Sequence, residues 1–249
     1  MTDVWAYLLL FVAGLVAGTL NVIAGGGSFL TLPLLIFLGL PPTVANGTNR
    51  VGIFLQNAAA VWGFSRHRLV DWRAVLWAAA PATLGAGVGT WAALHVGEDA
   101  FRRVLAYLMI GVTLYTLWDP LGKRNTTGTG RALKLPVLVV GFFCVGVYGG
   151  FVQAGVGFLI LAATTLAGLD LVRGNAVKVL SVLIYTGLSL AMFAAEGKIW
   201  WGHGLSLAAG TVLGSQLGVH LTVLKGHTWV RGVVTVAVLG LALRLLLQG

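Results

Sequence analysis

The sequence predicts an all-α polytopic membrane protein made of two inverted repeats of five hydrophobic segments each, about ten helices in all. Three observations carry that prediction. The 249 residues are 58% hydrophobic and only 9% charged, and apolar stretches long enough to cross a bilayer recur along the whole chain. Sliding the chain against itself by 129 residues (149 − 20) aligns Leu20 to Trp118 with Gly149 to Leu247 without a gap. The segments of each half are odd in number, so the second half must enter the membrane from the opposite side.

The first segment, 4–23, opens MTDVWAYLLLFVAGLVAG. It has neither a basic leader nor a small-residue cleavage site, and reads as a retained helix. After it come AGGGS and a short second segment, 28–40. As a helix this segment reaches only about 20 Å, against a hydrocarbon core of about 30 Å, so it is short or re-entrant. Segments three to five run 43–64, 72–95 and 100–118. Residues 1–121 form the first repeat, GKRNTTGTGR lies within a polar linker at 122–132, and 133–249 form the second repeat. Its segments run from about 133 to 248. Identities across the offset include Gly26/Gly155, Phe29/Phe158, Asn46/Asn175, Phe64/Phe193, Trp72/Trp201 and Arg102/Arg231, about twice the number that composition alone would give.

Charge sets the orientation. Arg66, Arg68, Arg73, Lys123, Arg124, Arg131, Lys134, Arg173, Lys225 and Arg231 fall on one side. Arg102, Arg103, Lys198 and Arg244 fall on the other. The richer side, with the linker, is expected to be cytoplasmic and both termini outside, in a prokaryotic inner membrane. The formal charge of +9 is thus spread between spans as topology signals, and nucleic-acid binding is not expected. Cys144 is the single cysteine, which excludes an internal disulfide or a thiol metal cluster. No metal or cofactor is expected.

The break at Asn21-Val22-Ile23-Ala24-Gly25-Gly26-Gly27-Ser28 interrupts the backbone within the membrane. Irregular backbone at that depth survives only where protein or a watered cavity satisfies its amides, and a helix N-terminus offers free N–H groups and positive dipole. Glycines let a ligand come close. The second half places Gln153-Ala154-Gly155-Val156-Gly157 at the matching point. Two such turns facing one pocket would hold an anion, whereas glycines used only for tight packing would need no pocket. Arg50 and Lys178 each lie about 10 Å inside their helices. Cations at that depth are candidates for ligand contact by default, with snorkelling to the surface as the alternative. Asn46, Thr48, Asn49, Gln56, Asn57, Asn175 and Tyr185 could serve as ligands or as interhelical glue, and Asn46 and Asn175 are duplicated by the repeat. Asp3, Asp71, Glu98, Asp99, Asp119, Asp170 and Glu196 fall at segment ends, which argues against a cation site or a carboxylate proton relay.

The stretch AGTLNVIAGGGSFLTLPLLIFLGLPPTVANGTNRVGIFLQN, with RGNAVKVLSVLIYT in the second half, resembles the sulfite exporter TauE/SafE family of membrane transporters. The resemblance covers essentially the whole chain. It implies a permease for a small sulfur-containing anion such as sulfite or an organosulfonate, with the lipid bilayer and that anion as partners and a homo-oligomer left open. Many members carry Gly-Thr-Ser where this chain has Gly47-Thr48-Asn49. On this reading Asn21, Gly25, Gly26, Gly27, Ser28, Gln153, Gly155 and Gly157 form the turns of the site. Arg50 and Lys178 supply charge, and Asn46, Thr48, Asn49, Asn175 and Tyr185 complete it. A transporter of a neutral solute is the first alternative. An intramembrane serine enzyme is the second, but Ser28 lacks a histidine or carboxylate at comparable depth.

Overall fold

The computed structural model describes residues 3–23, 25–66, 70–118 and 135–248. Among them lie nine helices and no strand. The first half gives α1 (Asp3–Ile23), α2 (Ser28–Phe37), α3 (Pro42–Arg66), α4 (Trp72–His95) and α5 (Glu98–Trp118). The second gives α6 (Leu135–Phe151), α7 (Val156–Leu166), α8 (Leu171–Ala195) and α9 (Trp201–Gln248). The linker at 122–132, and with it the charges that favour a cytoplasmic face there, lies outside the described residues.

Local chemistry explains most boundaries. α2 stops at Phe37 because Gly39 takes a left-handed φ of 96°, and the Leu40 N–H then bonds back to Leu35 O at 3.2 Å. Gly168, at φ 90°, closes α7 in the same way, with Leu169 N–H on Thr164 O at 3.0 Å. Both are glycine closures in which the chain turns back on the last carbonyls. α2 and α7 have 10 and 11 residues, about 15 Å each, shorter still than the sequence predicts. Asp71 and Asp170 cap α4 and α8 by accepting two backbone N–H bonds apiece. The fourth and fifth segments of the second half are continuous in α9, where the sequence predicts two helices. In the first half Val96 is extended and Glu98-Asp99 opens the next helix. At the corresponding place Gly226 is followed by His227-Thr228, with no acidic start signal.

Contacts fix how the helices run. Ser206 Oγ donates to Tyr7 O at 2.7 Å and Thr19 Oγ1 to Gly214 O at 3.0 Å, so α1 and α9 rise together. Trp200 N–H donates to Thr48 Oγ1, Thr211 Oγ1 to Gly52 O and Gln216 Nε2 to Ala59 O, so α3 runs parallel to both. α4 and α6 are parallel to each other, since Gly146 faces Ala82 and Gly150 faces Ala86. α3 and α8 are antiparallel, since Gly47 meets Phe193 and Gly187 meets Phe54. α1 and α3 thus point the same way, and α2 is the return stroke between them. It is enclosed by protein, with Phe29, Leu32 and Leu35 buried beside Phe101, Phe158 and Phe193. The outward surface is apolar and carries exposed Trp5, Trp62, Trp72, Trp91, Trp200 and Trp201, as lipid contact requires. α1, α8 and the first part of α9 are each long and apolar enough to cross a membrane.

Candidate functional site

The two chain breaks touch. A Cβ placed on Gly25 would lie 2.4 Å from Gly157 Cα, and one on Gly157 would lie 2.3 Å from Gly25 Cα. The backbones cross at a distance that only two glycines permit. Gly25 has φ 93° and Gly155, the N-cap of α7, has φ 72°. Gln153, at φ 65°, is the one non-glycine residue with positive φ among those described. It is held by its side chain: Oε1 accepts from Arg50 Nη1 at 2.9 Å, and Nε2 donates to Thr186 Oγ1 at 2.6 Å.

Beside this crossing is a cavity. The first break contributes Asn21 and Ser28 to it and the second contributes Gln153, Val156 and Gly157, while Ile53, Asn57, Lys178 and Val182 come from α3 and α8. Its free space is of the order of one water molecule, too little for a substrate as it stands. α2 and α7 both begin at its edge, and in their first turns the Phe29, Leu30 and Phe158 N–H groups bond back to Gly26 O, Gly27 O and Gly155 O in the glycine turns.

Breaking a helix also orphans its last carbonyls, and here each set is met from the other half of the chain. Lys178 Nζ donates to Asn21 O at 3.0 Å and to Val22 O at 2.8 Å, and Asn175 Nδ2 donates to Ile23 O at 3.3 Å. In mirror fashion Arg50 Nη2 donates to Gly149 O at 3.2 Å and to Gly150 O at 2.5 Å, and Asn46 Nδ2 donates to Phe151 O at 2.8 Å. Arg50 is fully buried, with Phe193 under its guanidinium at 4.9 Å. A cation at a helix C-terminus answers the dipole, but no carboxylate joins either one. The salt bridge among the described residues is Arg173–Asp170, at the exposed start of α8.

Of the residues singled out by sequence, Asn21, Ser28, Asn57, Gln153, Gly157 and Lys178 line the cavity. Gly26 lies under the Phe158 ring and Gly27 against Ala17 O. Thr48 accepts the Trp200 N–H. Asn49 accepts from Thr31 Oγ1 at 2.7 Å while its Nδ2 has no partner. Tyr185 is buried with its hydroxyl unpartnered. Arg50, Asn46 and Asn175 are turned to carbonyls and are absent from the lining. Sequence reasoning missed Ile53, Val156 and Val182. For two of them a signal existed: Ile53 and Val182 lie four residues from Asn57 and Lys178, on the same helix faces.

The model of the sulfite exporter TauE/SafE family matches residues 10–245, nearly the whole chain and both breaks. The chain belongs to the sulfite exporter TauE/SafE family. It is similar to a probable membrane transporter protein of Haemophilus influenzae, 32% identical over 92% of this chain and 89% of that protein. It is also similar to the probable membrane transporter protein YfcA of Escherichia coli K12, 31% identical over 92% and 85%. YunE of Bacillus subtilis, another probable membrane transporter protein, is 22% identical over 86% and 87%. No solved structure matches the chain. A TauE/SafE chain with apolar helices of this length is a multi-pass membrane transporter. The cavity lining has no histidine or carboxylate that could activate Ser28.

Proposed function

We propose that the protein carries a small anion, of the sulfite, organosulfonate or related sulfur oxyanion class, across a prokaryotic inner membrane by alternating access at a site between two inverted repeats. The observation that carries this reading is the cavity where both breaks meet, lined by Lys178 and, among the described residues, by no carboxylate. Support for inversion comes from the contact pattern. α1 pairs with α9 as α6 pairs with α4, in parallel, while α3 and α8 are antiparallel. Asn46 serves Phe151 O as Asn175 serves Ile23 O, an equivalence expected if a two-fold axis lies in the membrane plane. The sulfur oxyanion follows from the family's description, and the cytoplasmic linker from the distribution of Arg and Lys.

One observation favours a neutral solute instead. Lys178 and Arg50 already have hydrogen-bond partners in carbonyls, so both could be structural. Thermal unfolding of the purified protein separates the readings. Sulfite, methanesulfonate and thiosulfate would be compared with chloride and with uncharged dimethyl sulfone. A ligand at 100 times its Kd stabilises the folded state by about 2.7 kcal/mol. Stabilisation by a sulfur oxyanion, absent with dimethyl sulfone and lost in Lys178→Gln, is expected. Stabilisation by the sulfone alone would reverse the charge assignment.

A further inference from the structure

Transporters with broken helices commonly gather unwound carbonyls around a coupling cation such as sodium. In this chain both sets of carbonyls are filled from within. Lys178 Nζ sits on Asn21 O and Val22 O, and Arg50 Nη2 on Gly149 O and Gly150 O. Two tethered cations occupy the positions that a mobile ion would take. They differ in one respect. Arg50 spends Nη1 on Gln153, lies on Phe193 and stays out of the cavity lining. Lys178 lines the cavity beside Asn21, Ser28 and Asn57, and its ammonium has one N–H beyond the two given to carbonyls.

α8, which carries Lys178, packs against α1, α3, α4, α6, α7 and α9. The buried ionisable side chains on α8 and these neighbours, among the described residues, are Arg50 on α3, Tyr185 on α8 and His203 on α9, with Tyr148 on α6 partly buried. The other charged or titratable groups on these helices whose side chains are described, among them Arg66, Arg73 and His95, lie at helix ends or on exposed surface. The described carboxylates Asp71, Glu98, Asp99, Asp170 and Glu196 stand at helix ends. Lys178 is the single titratable group in the lining, and a lysine can release and regain a proton where an arginine stays charged.

We infer that Lys178 is the coupling group: as an ammonium it binds the anion, and after the anion has left it gives a proton to water, so that one proton travels with each monoanion and sodium is not needed. The inference rests on the anion reading above. On release an N–H bond breaks, its electron pair stays on Nζ and the proton passes to water on the receiving side. The neutral amine returns and takes a proton from water on the loading side before the next anion binds. Anion and proton move together, and the cycle carries no net charge.

The test uses the full-length protein in proteoliposomes with a pH dye inside. The probe is labelled methanesulfonate, a monoanion with no proton to lose near neutral pH, with labelled sulfite and thiosulfate alongside. In the wild type the lumen should acidify by one proton per anion taken up, and replacing sodium by choline should change nothing. A lumen one pH unit more alkaline should drive about tenfold accumulation, unaffected by a clamped membrane potential. Lys178→Arg should still exchange labelled for unlabelled anion, but without acidification and with a new response to potential. Uptake that leaves lumenal pH unmoved, or that requires sodium, or acidification that survives in Lys178→Arg, overturns the coupling role and leaves the anion reading standing. No uptake of any of the three anions overturns both. If Lys178→Arg does not fold, the wild-type proton count and the sodium replacement decide.

Discussion

Replacing Gly157 by alanine tests the crossing on which the site depends. The added Cβ would stand 2.3 Å from Gly25 Cα, 3.1 Å from its O and 3.2 Å from its carbonyl carbon. Ordinary contact begins at 3.4 Å, so the turns would have to part by about 1.1 Å (3.4 − 2.3). Both sides are backbone, and no side chain can swing away to relieve the contact. Overpacking of this kind costs about 1–3 kcal/mol, and the upper half of that range applies when nothing flexible yields. In a chain of this size 1 kcal/mol moves a melting temperature by about 2–4 °C, so Gly157→Ala should lower it by about 4–12 °C in detergent. Gly26→Ala is the graded comparison, because its Cβ meets the Phe158 ring at 2.8 Å, a side chain able to shift, at about 1 kcal/mol. Gly97→Ala is the control, with nothing within 4 Å of its Cβ and an expected change within about 0.5 kcal/mol. If Gly157→Ala melts with Gly97→Ala, the two breaks do not meet as described.

Other substitutions test the remaining contacts. Arg50→Gln strands Gly149 O and Gln153 Oε1 and leaves Gly150 O with the Thr90 hydroxyl alone, and should cost about 2–5 kcal/mol in denaturant or thermal unfolding; Arg50→Lys, which can still reach the carbonyls, should recover part of it. Asn46→Ala should destabilise more than Asn175→Ala, because its bond to Phe151 O is 2.8 Å against 3.3 Å for the bond to Ile23 O, each cost being about 1 kcal/mol. Asp71→Ala and Asp170→Ala each remove an N-cap that accepts two backbone bonds. Each should lower thermal stability by about 1 kcal/mol while leaving anion uptake unchanged.

Much of this arrangement was legible in the sequence, for reasons tied to particular residues. Polar groups inside apolar spans stand out, and Asn21, Ser28, Gln153 and Lys178 were readable as a site on that ground alone. The glycine runs marked both breaks because successive glycines disfavour continuation of a helix. The ends of α2 and α7 were less clear, since Gly39 and Gly168 turn the chain so that Leu40 and Leu169 bond to carbonyls five residues back, which shortens each segment. The division of labour between the cations was hidden for a different reason. Arg50 meets carbonyls 99 and 100 residues away, and Lys178 meets carbonyls 156 and 157 residues away. No local pattern encodes such pairings. Ile53, Val156 and Val182 look like any core residue until the fold turns them toward the cavity.

The glycine seams of α1 with α9 and of α4 with α6 have a mechanical consequence. At Gly14, Gly18, Gly210 and Gly214 on one seam, and at Gly85, Gly89, Gly146 and Gly150 on the other, a Cβ would fall within 2.6 Å of the opposing backbone. Surfaces that close resist sliding. Each seam joins one helix from the first half of the chain to one from the second, so the stiff bodies of this transporter cut across its gene order. A motion that separated the N-terminal half from the C-terminal half would tear both seams at once. Rocking of one mixed pair against the other leaves both intact. A disulfide stitched across α1 and α9 should therefore leave transport running, whereas one that ties α1 to α6 should stop it.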